Sequence, residues 1–70
     1  MKILEMVNLV RNNDSTDKTL IIKSNTDKNL FATIDCSKSN SEVINGFRDF
    51  VNLEIYSVDT YKGWLLVSFN

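Results

Sequence analysis

The stretch from Ser39 to Asn52, SNSEVINGFRDFVN, constrains this chain more than any other, because it carries the clearest helical period. Val43, Ile44, Phe47, Phe50 and Val51 fall at i, i+1, i+4, i+7 and i+8, one apolar stripe on a 3.6-residue repeat. Ser39 stands three residues ahead of Glu42, the spacing of a capping box. The Ser39 hydroxyl can take an orphan N–H of the first turn while the Glu42 carboxylate reaches back to the cap. Asn45-Gly46 is a competing hairpin-turn signal, and a glycine inside a helix costs ~1 kcal/mol relative to alanine. A hairpin would need alternation on both sides, and the Val43-Ile44 and Phe50-Val51 doublets break it, so the pattern predicts a helix.

The flanking runs read as strands. Lys2–Arg11 places Ile3, Val7 and Leu9 on one side and Leu4, Met6 and Val10 on the other, the pattern of a central strand buried on both faces. A helix starting here would lack a recognisable cap. Asn12–Lys18 (NNDSTDK) and Ser24–Asn29 (SNTDKN) are turn clusters, since Asn, Asp and Ser bond their own backbone. Thr19–Lys23 is a short β-branched strand, and Leu30–Cys36 alternates as a third. Connections this short predict an antiparallel meander. After the helix, Leu53–Asp59 alternates as a strand, Asp59–Gly63 turns, and Trp64–Phe69 closes the chain. The expected fold is one α+β domain over residues 1–70: a small antiparallel sheet of about five strands (β-β-β-α-β-β) with one helix packed on one face.

A chain of 70 residues sits near the lower size limit for an unstapled core, and Cys36 has no second cysteine to pair with. With no His and one Cys, the usual zinc and haem spacings are excluded, and no cofactor or metal is expected. A net charge of −1 is neither the basic footprint of a nucleic-acid binder nor an acidic mimic. Glu5 interrupts the apolar N-terminal run and no small-residue cleavage site follows, so the chain reads as cytoplasmic and without a membrane partner. Nine Asn, six Lys and six Ile, against one Ala, two Gly, two Arg and no Pro, point to AT-rich codons, as in low-GC bacteria and their phages.

One helix of about twelve residues is ~18 Å long and cannot cover a five-stranded sheet roughly 20–24 Å across. The uncovered apolar surface is drawn from Ile3, Val7, Leu9, Ile21, Phe31, Tyr56, Val58, Trp64 and Leu66. Closure into a barrel, a homodimer or a protein partner would each hide it. Phe31, Tyr56 and Trp64 are the partner-binding candidates, because aromatic anchors dominate interface energetics.

Chemistry is sparsely represented. Cys36 beside Asp35 has only Lys38 as a nearby base, and Asp35 with Glu54 or Asp49 is the kind of acidic pair that nine acids produce by chance. Asn13-Asp14-Ser15 is a sequon without a secretory signal, and Asn12–Asp17 lacks the Gly and distal Glu of a calcium loop. The tail Lys62–Phe69 (KGWLLVSF) resembles the K-G-F-G-F-V-x-F octapeptide of RNA recognition motifs, and Leu4–Leu9 (LEMVNL) is similar to their companion hexapeptide. That resemblance implies aromatic stacking on unpaired bases. Here Leu66 and Glu5 occupy the second stacking positions, and the chain ends where that family continues with a helix and a strand. The expectation is therefore a non-enzymatic protein-binding module that occludes a partner's surface. A phage or mobile-element inhibitor of a host enzyme or defence complex, of the anti-CRISPR type, would fit the size and codon bias. The rival is a single-stranded nucleic-acid binder using the sheet aromatics.

Overall fold

A computed structural model of the chain describes every residue except Ser15 and Thr16. Its elements run α1 (Ile3–Asn12), β1 (Thr19–Ser24), β2 (Phe31–Asp35), α2 (Asn40–Phe47), β3 (Ile55–Tyr61) and β4 (Trp64–Phe69). The four strands form one open sheet in the order β2-β1-β4-β3. β1–β2 and β3–β4 are antiparallel hairpins, and the two hairpins meet through a parallel β1–β4 pairing at the centre.

This corrects the expected five-stranded antiparallel sheet with one helix: among the described residues the sheet has four strands and is mixed, and there are two helices. The sheet is also not closed, so barrel formation does not hide its second face. The difference lies in Lys2–Arg11, which is α1 and not a central strand. Its buried residues Ile3, Met6, Val7 and Val10 follow i, i+3, i+4, i+7, a helical stripe; a strand buried on both faces asks only for apolar residues at odd and even positions alike, which this run also supplies. The missing N-cap side chain is replaced by tertiary acceptors. Ile3 N donates to the Leu53 carbonyl and Leu4 N to the Val51 carbonyl, both at 3.0 Å, while Lys2 N donates to Glu5 Oε1 at 2.9 Å. The orphan donors of the first turn are thereby satisfied by a segment fifty residues away.

The second helix forms as its sequence dictates. Ser39 Oγ accepts from Glu42 N at 3.3 Å, and Ser39 N donates back to Glu42 Oε1 at 3.4 Å. Asn45-Gly46 lies inside α2, which ends at Phe47; turns then lead to β3, with Val51 N bonded to the Phe47 carbonyl. Of the stripe, Val43 and Val51 are buried and Phe47 and Phe50 partly so, but Ile44 is exposed. The last turn is Lys62-Gly63 alone, with φ of 53° and 86°, because β3 continues to Tyr61. Positive φ at both central residues is the geometry that matches the twist of a two-residue hairpin. Of the Asn12–Lys18 run, Asn12 ends α1, and the Ser15 of the sequon lies outside the described residues.

The core lies between the helices and one face of the sheet. Ile3, Val7 and Val10 of α1 and Val43 of α2 pack with Leu20, Ile22, Ile34, Cys36, Val67 and Phe69. Phe50, just beyond α2, meets Phe69 with ring centroids 5.7 Å apart. Arg11 locks α1 to the β2–α2 connection. Its Nε donates to the Cys36 carbonyl at 2.8 Å, and its terminal nitrogens to Asn8 Oδ1, Asn40 Oδ1 and the Lys38 carbonyl at 2.8, 2.7 and 2.6 Å.

Candidate binding surface

The strand register lays out the face that the helices do not cover. One row across it is Thr33–Ile21–Leu66–Asp59, and the next is Phe31–Lys23–Ser68–Ser57. Continuing the β1–β4 register one residue gives a third, Asp35–Thr19–Trp64–Tyr61. Charge on this face is mixed, with Lys23 set against Asp35 and Asp59. Ile21 is buried even here, with Thr33 and Leu66 beside it on the adjoining strands.

The three aromatic candidates are all accessible, but they do not form one cluster. Phe31 is 64% exposed, Tyr56 61% and Trp64 37%. Phe31 and Trp64 are two strands and four residues apart, roughly 16 Å by ordinary sheet spacings. Tyr56 sits at the irregularity between Ile55 and Ser57, where β3 slips by one residue against β4. Trp64 does have an aromatic neighbour, since Tyr61 is its cross-strand partner, and Lys62 Nζ lies 5.4 Å from the Tyr61 ring centroid. Sequence reading passed over Tyr61, yet its place beside a Lys-Gly turn was a usable cue. Of the other residues assigned to the uncovered surface, Ile3 and Val7 are core residues of α1.

Trp64 borders a groove. The groove, of about 490 Å³, lies between α1 and the leading end of the β1–β4 pair. Met6, Leu9, Val10, Leu65 and Trp64 give it apolar walls, and Asn13, Asp17 and Thr19 supply polar groups. The indole N–H of Trp64 donates to the Asp17 carboxylate, which also accepts from Thr19 N at 2.9 Å. The bond from the Thr19 main chain is the leading cause holding the Asp17 carboxyl below its ordinary pKa. One edge of the Trp64 ring is thus anchored while the ring still lines the groove. Leu9, on the α1 wall, is 54% exposed, an apolar side chain directed to solvent from a helix that is otherwise amphipathic.

Groups suited to catalysis are not gathered here. Cys36 is fully buried, and desolvation pushes its thiol up to about 11, against an ordinary value near 9. Asp35 and Glu54 flank opposite edges of the sheet; Asp35 accepts from Ser37 N and Oγ, and Glu54 holds the N-terminal ammonium at 3.0 Å. Among the described residues no cluster of three metal-ligating side chains occurs, and no helix is long and apolar enough to cross a membrane. Neither the known protein families nor the curated proteins nor the solved structures compared with this chain gave a match.

Proposed function

We propose that this chain is a non-enzymatic protein-binding module that engages its partner through the Trp64 groove and acts by occluding that partner's surface. The observation that carries the reading is the groove itself: five apolar side chains around about 490 Å³, with polar groups set among them. That is the size and composition of a socket for one or two side chains of another protein. Trp64 is suited to be its anchor, because the bond to Asp17 fixes the ring before a partner arrives and lowers the ordering cost of binding. Within this class, an inhibitor of the anti-CRISPR type carried by a phage or mobile element is the finer reading, supported by small size and AT-rich composition.

Single-stranded nucleic acid has less support. The open face offers one lysine against two aspartates, so it lacks the positive charge that tracks a phosphate backbone, and Phe31 lies apart from the adjacent Trp64–Tyr61 pair.

The test is capture from the native host lysate with the chain and its Leu9→Glu and Trp64→Ala variants, followed by calorimetry on the purified partner. A partner held by the chain and weakened at least about tenfold by both variants, with circular dichroism unchanged, supports the reading. Equal binding by all three proteins would refute it. A gel shift with single-stranded DNA and RNA that weakens as salt rises would transfer the function to the rival.

A further inference from the structure

The two edges of the sheet are treated very differently. β3 carries three devices that discourage further pairing. It has a bulge-like slip between Ile55 and Ser57, Asp59 Oδ1 accepts from Thr60 N at 2.8 Å, and its entry is occupied by Lys2, which bridges Glu54 in antiparallel sense. Met1 extends that coverage, its carbonyl accepting from Ile55 N at 2.8 Å.

β2 carries none of these. Its ladder with β1 is regular from Thr19↔Asp35 to Lys23↔Phe31, with no bulge, proline or lysine. The bonds from Ser24 N to the Leu30 carbonyl and from Cys36 N to the Lys18 carbonyl fix the alternation. Residues 30, 32, 34 and 36 therefore face β1, and the main-chain groups of Phe31, Thr33 and Asp35 point away from the sheet. Among the described residues only the Asp35 carbonyl finds another partner there, Lys38 N at 3.3 Å. The side chains of Phe31, Thr33 and Asp35 are all exposed.

We propose that β2 is the site at which a second copy of this chain adds to the sheet, antiparallel and two-fold, to give a continuous eight-stranded sheet. The partner is argued from self-complementarity. A two-fold centred on Thr33 sets Thr33 opposite Thr33, Phe31 opposite Asp35 and Ala32 opposite Ile34, and so pairs all five residues of the strand. The outward groups of Phe31, Thr33 and Asp35 then exchange main-chain bonds with their counterparts. In the same register Lys23, next to Phe31 on β1, shares a row with the second copy's Asp35, two strand spacings or about 10 Å away between Cα atoms. A lysine side chain spans most of that distance, so each copy supplies one cation and one anion to the other across the exposed Phe31 ring. Shifting the axis to Asp35 would oppose two carboxylates, and shifting it to Phe31 would pair only the strand's first residues. This surface is separate from the Trp64 groove, so either proposal can fail without the other.

The experiment is sedimentation equilibrium of the full chain from about 10 μM to 1 mM, paired with residue-resolved amide exchange. The chain should pass from 8.0 kDa to twice that mass. Exchange of the Phe31 and Thr33 amides should slow about tenfold over the same range. Thr33→Pro removes an outward N–H without breaking the β1 ladder, so it should stay monomeric with an unchanged circular dichroism spectrum. Should that variant fail to fold, the charge pair keeps the proposal open to refutation. Lys23→Glu and Asp35→Lys should each weaken the dimer at least fivefold, and the double variant should restore it. A monomer at 1 mM, or a dimer whose Phe31 and Thr33 amides exchange as in the monomer, would overturn the proposal. So would a dimer abolished by Val58→Pro on β3 but not by Thr33→Pro.

Discussion

Arg11 joins α1 to the connection between β2 and α2, and replacing it with methionine isolates the guanidinium from its aliphatic stem. Four hydrogen bonds are lost. Those to Lys38 and Asn40 are exposed and exchange for water nearly at parity, whereas those to the Cys36 carbonyl and Asn8 are partly buried. A shielded hydrogen bond from a charged donor contributes about 1.5–3 kcal/mol, and discounting for partial exposure leaves an expected loss of about 2–3 kcal/mol. For a domain of this length that approaches half of the total stability and lowers the Tm by roughly 10–20 °C. Urea unfolding followed by circular dichroism and by Trp64 fluorescence should show a lower midpoint at unchanged slope. Arg11→Lys should fall between the two, because an ammonium cannot present a planar fork to acceptors on different sides. If Arg11→Met stayed within about 0.5 kcal/mol of the parent, the clamp would carry no energetic weight, and packing alone would hold α1.

Three further outcomes follow from local geometry. Ser39→Ala removes the acceptor for Glu42 N and should cost about 1 kcal/mol in urea unfolding, with the loss reversed by Ser39→Asp. Gly63→Ala forces a side chain into φ of +86° and should cost about 1–2 kcal/mol, although a Cβ there would meet no atom within 4 Å, so the penalty is conformational and not steric contact with neighbours. Cys36 should resist thiol reagents at pH 8 in the native state and react on unfolding, because burial holds the thiol at about 11. The raised value also sets a sign. Above pH 9 the unfolded chain loses a proton that the folded chain keeps, so stability falls between pH 9 and 11, and Cys36→Ser should flatten that fall.

Local signals were legible where a neighbour in sequence completes them. The Ser39–Glu42 box, the β-branched run at β1 and the limits of β4 needed only residues a few positions away. The first helix failed for the opposite reason. Its N-terminal donors are satisfied by Val51 and Leu53 carbonyls, so the expected cap was absent from the local text, and a run apolar at odd and even positions alike fits a doubly buried strand as well as a helix. The parallel β1–β4 pairing was likewise invisible, since it joins strands more than forty residues apart and leaves no turn signature. The binding candidates Phe31, Tyr56 and Trp64 are all exposed side chains. Their separation could not have been read, because it depends on a strand order set by that same parallel pair.

The unequal cover on the helix side of the sheet has a dynamic consequence for β3. Val58 and Val67 are cross-strand partners on the same face, yet Val67 is fully buried and Val58 is 52% exposed. The helix layer therefore ends between β4 and β3. α1 is ~15 Å long and α2 ~12 Å, and the core they cover draws on β1, β2 and β4 but, of β3, only on Ile55 at its entry. Apart from Ile55, β3 has no half-buried residue, and its hold on the sheet is its ladder to β4, the Lys62-Gly63 turn and the bridge from Lys2 at its entry. Local opening of a strand costs what its buried apolar contacts and bonds contribute, so β3 should open far below the global unfolding free energy. Amide exchange should then run at least about a hundredfold faster at Ser57 and Asp59 than at Leu20 and Ile22 in the central strand. Equal protection along both strands would mean that β3 is stabilised by contacts beyond its ladder, and the uncovered Val58 side would have to be closed in solution.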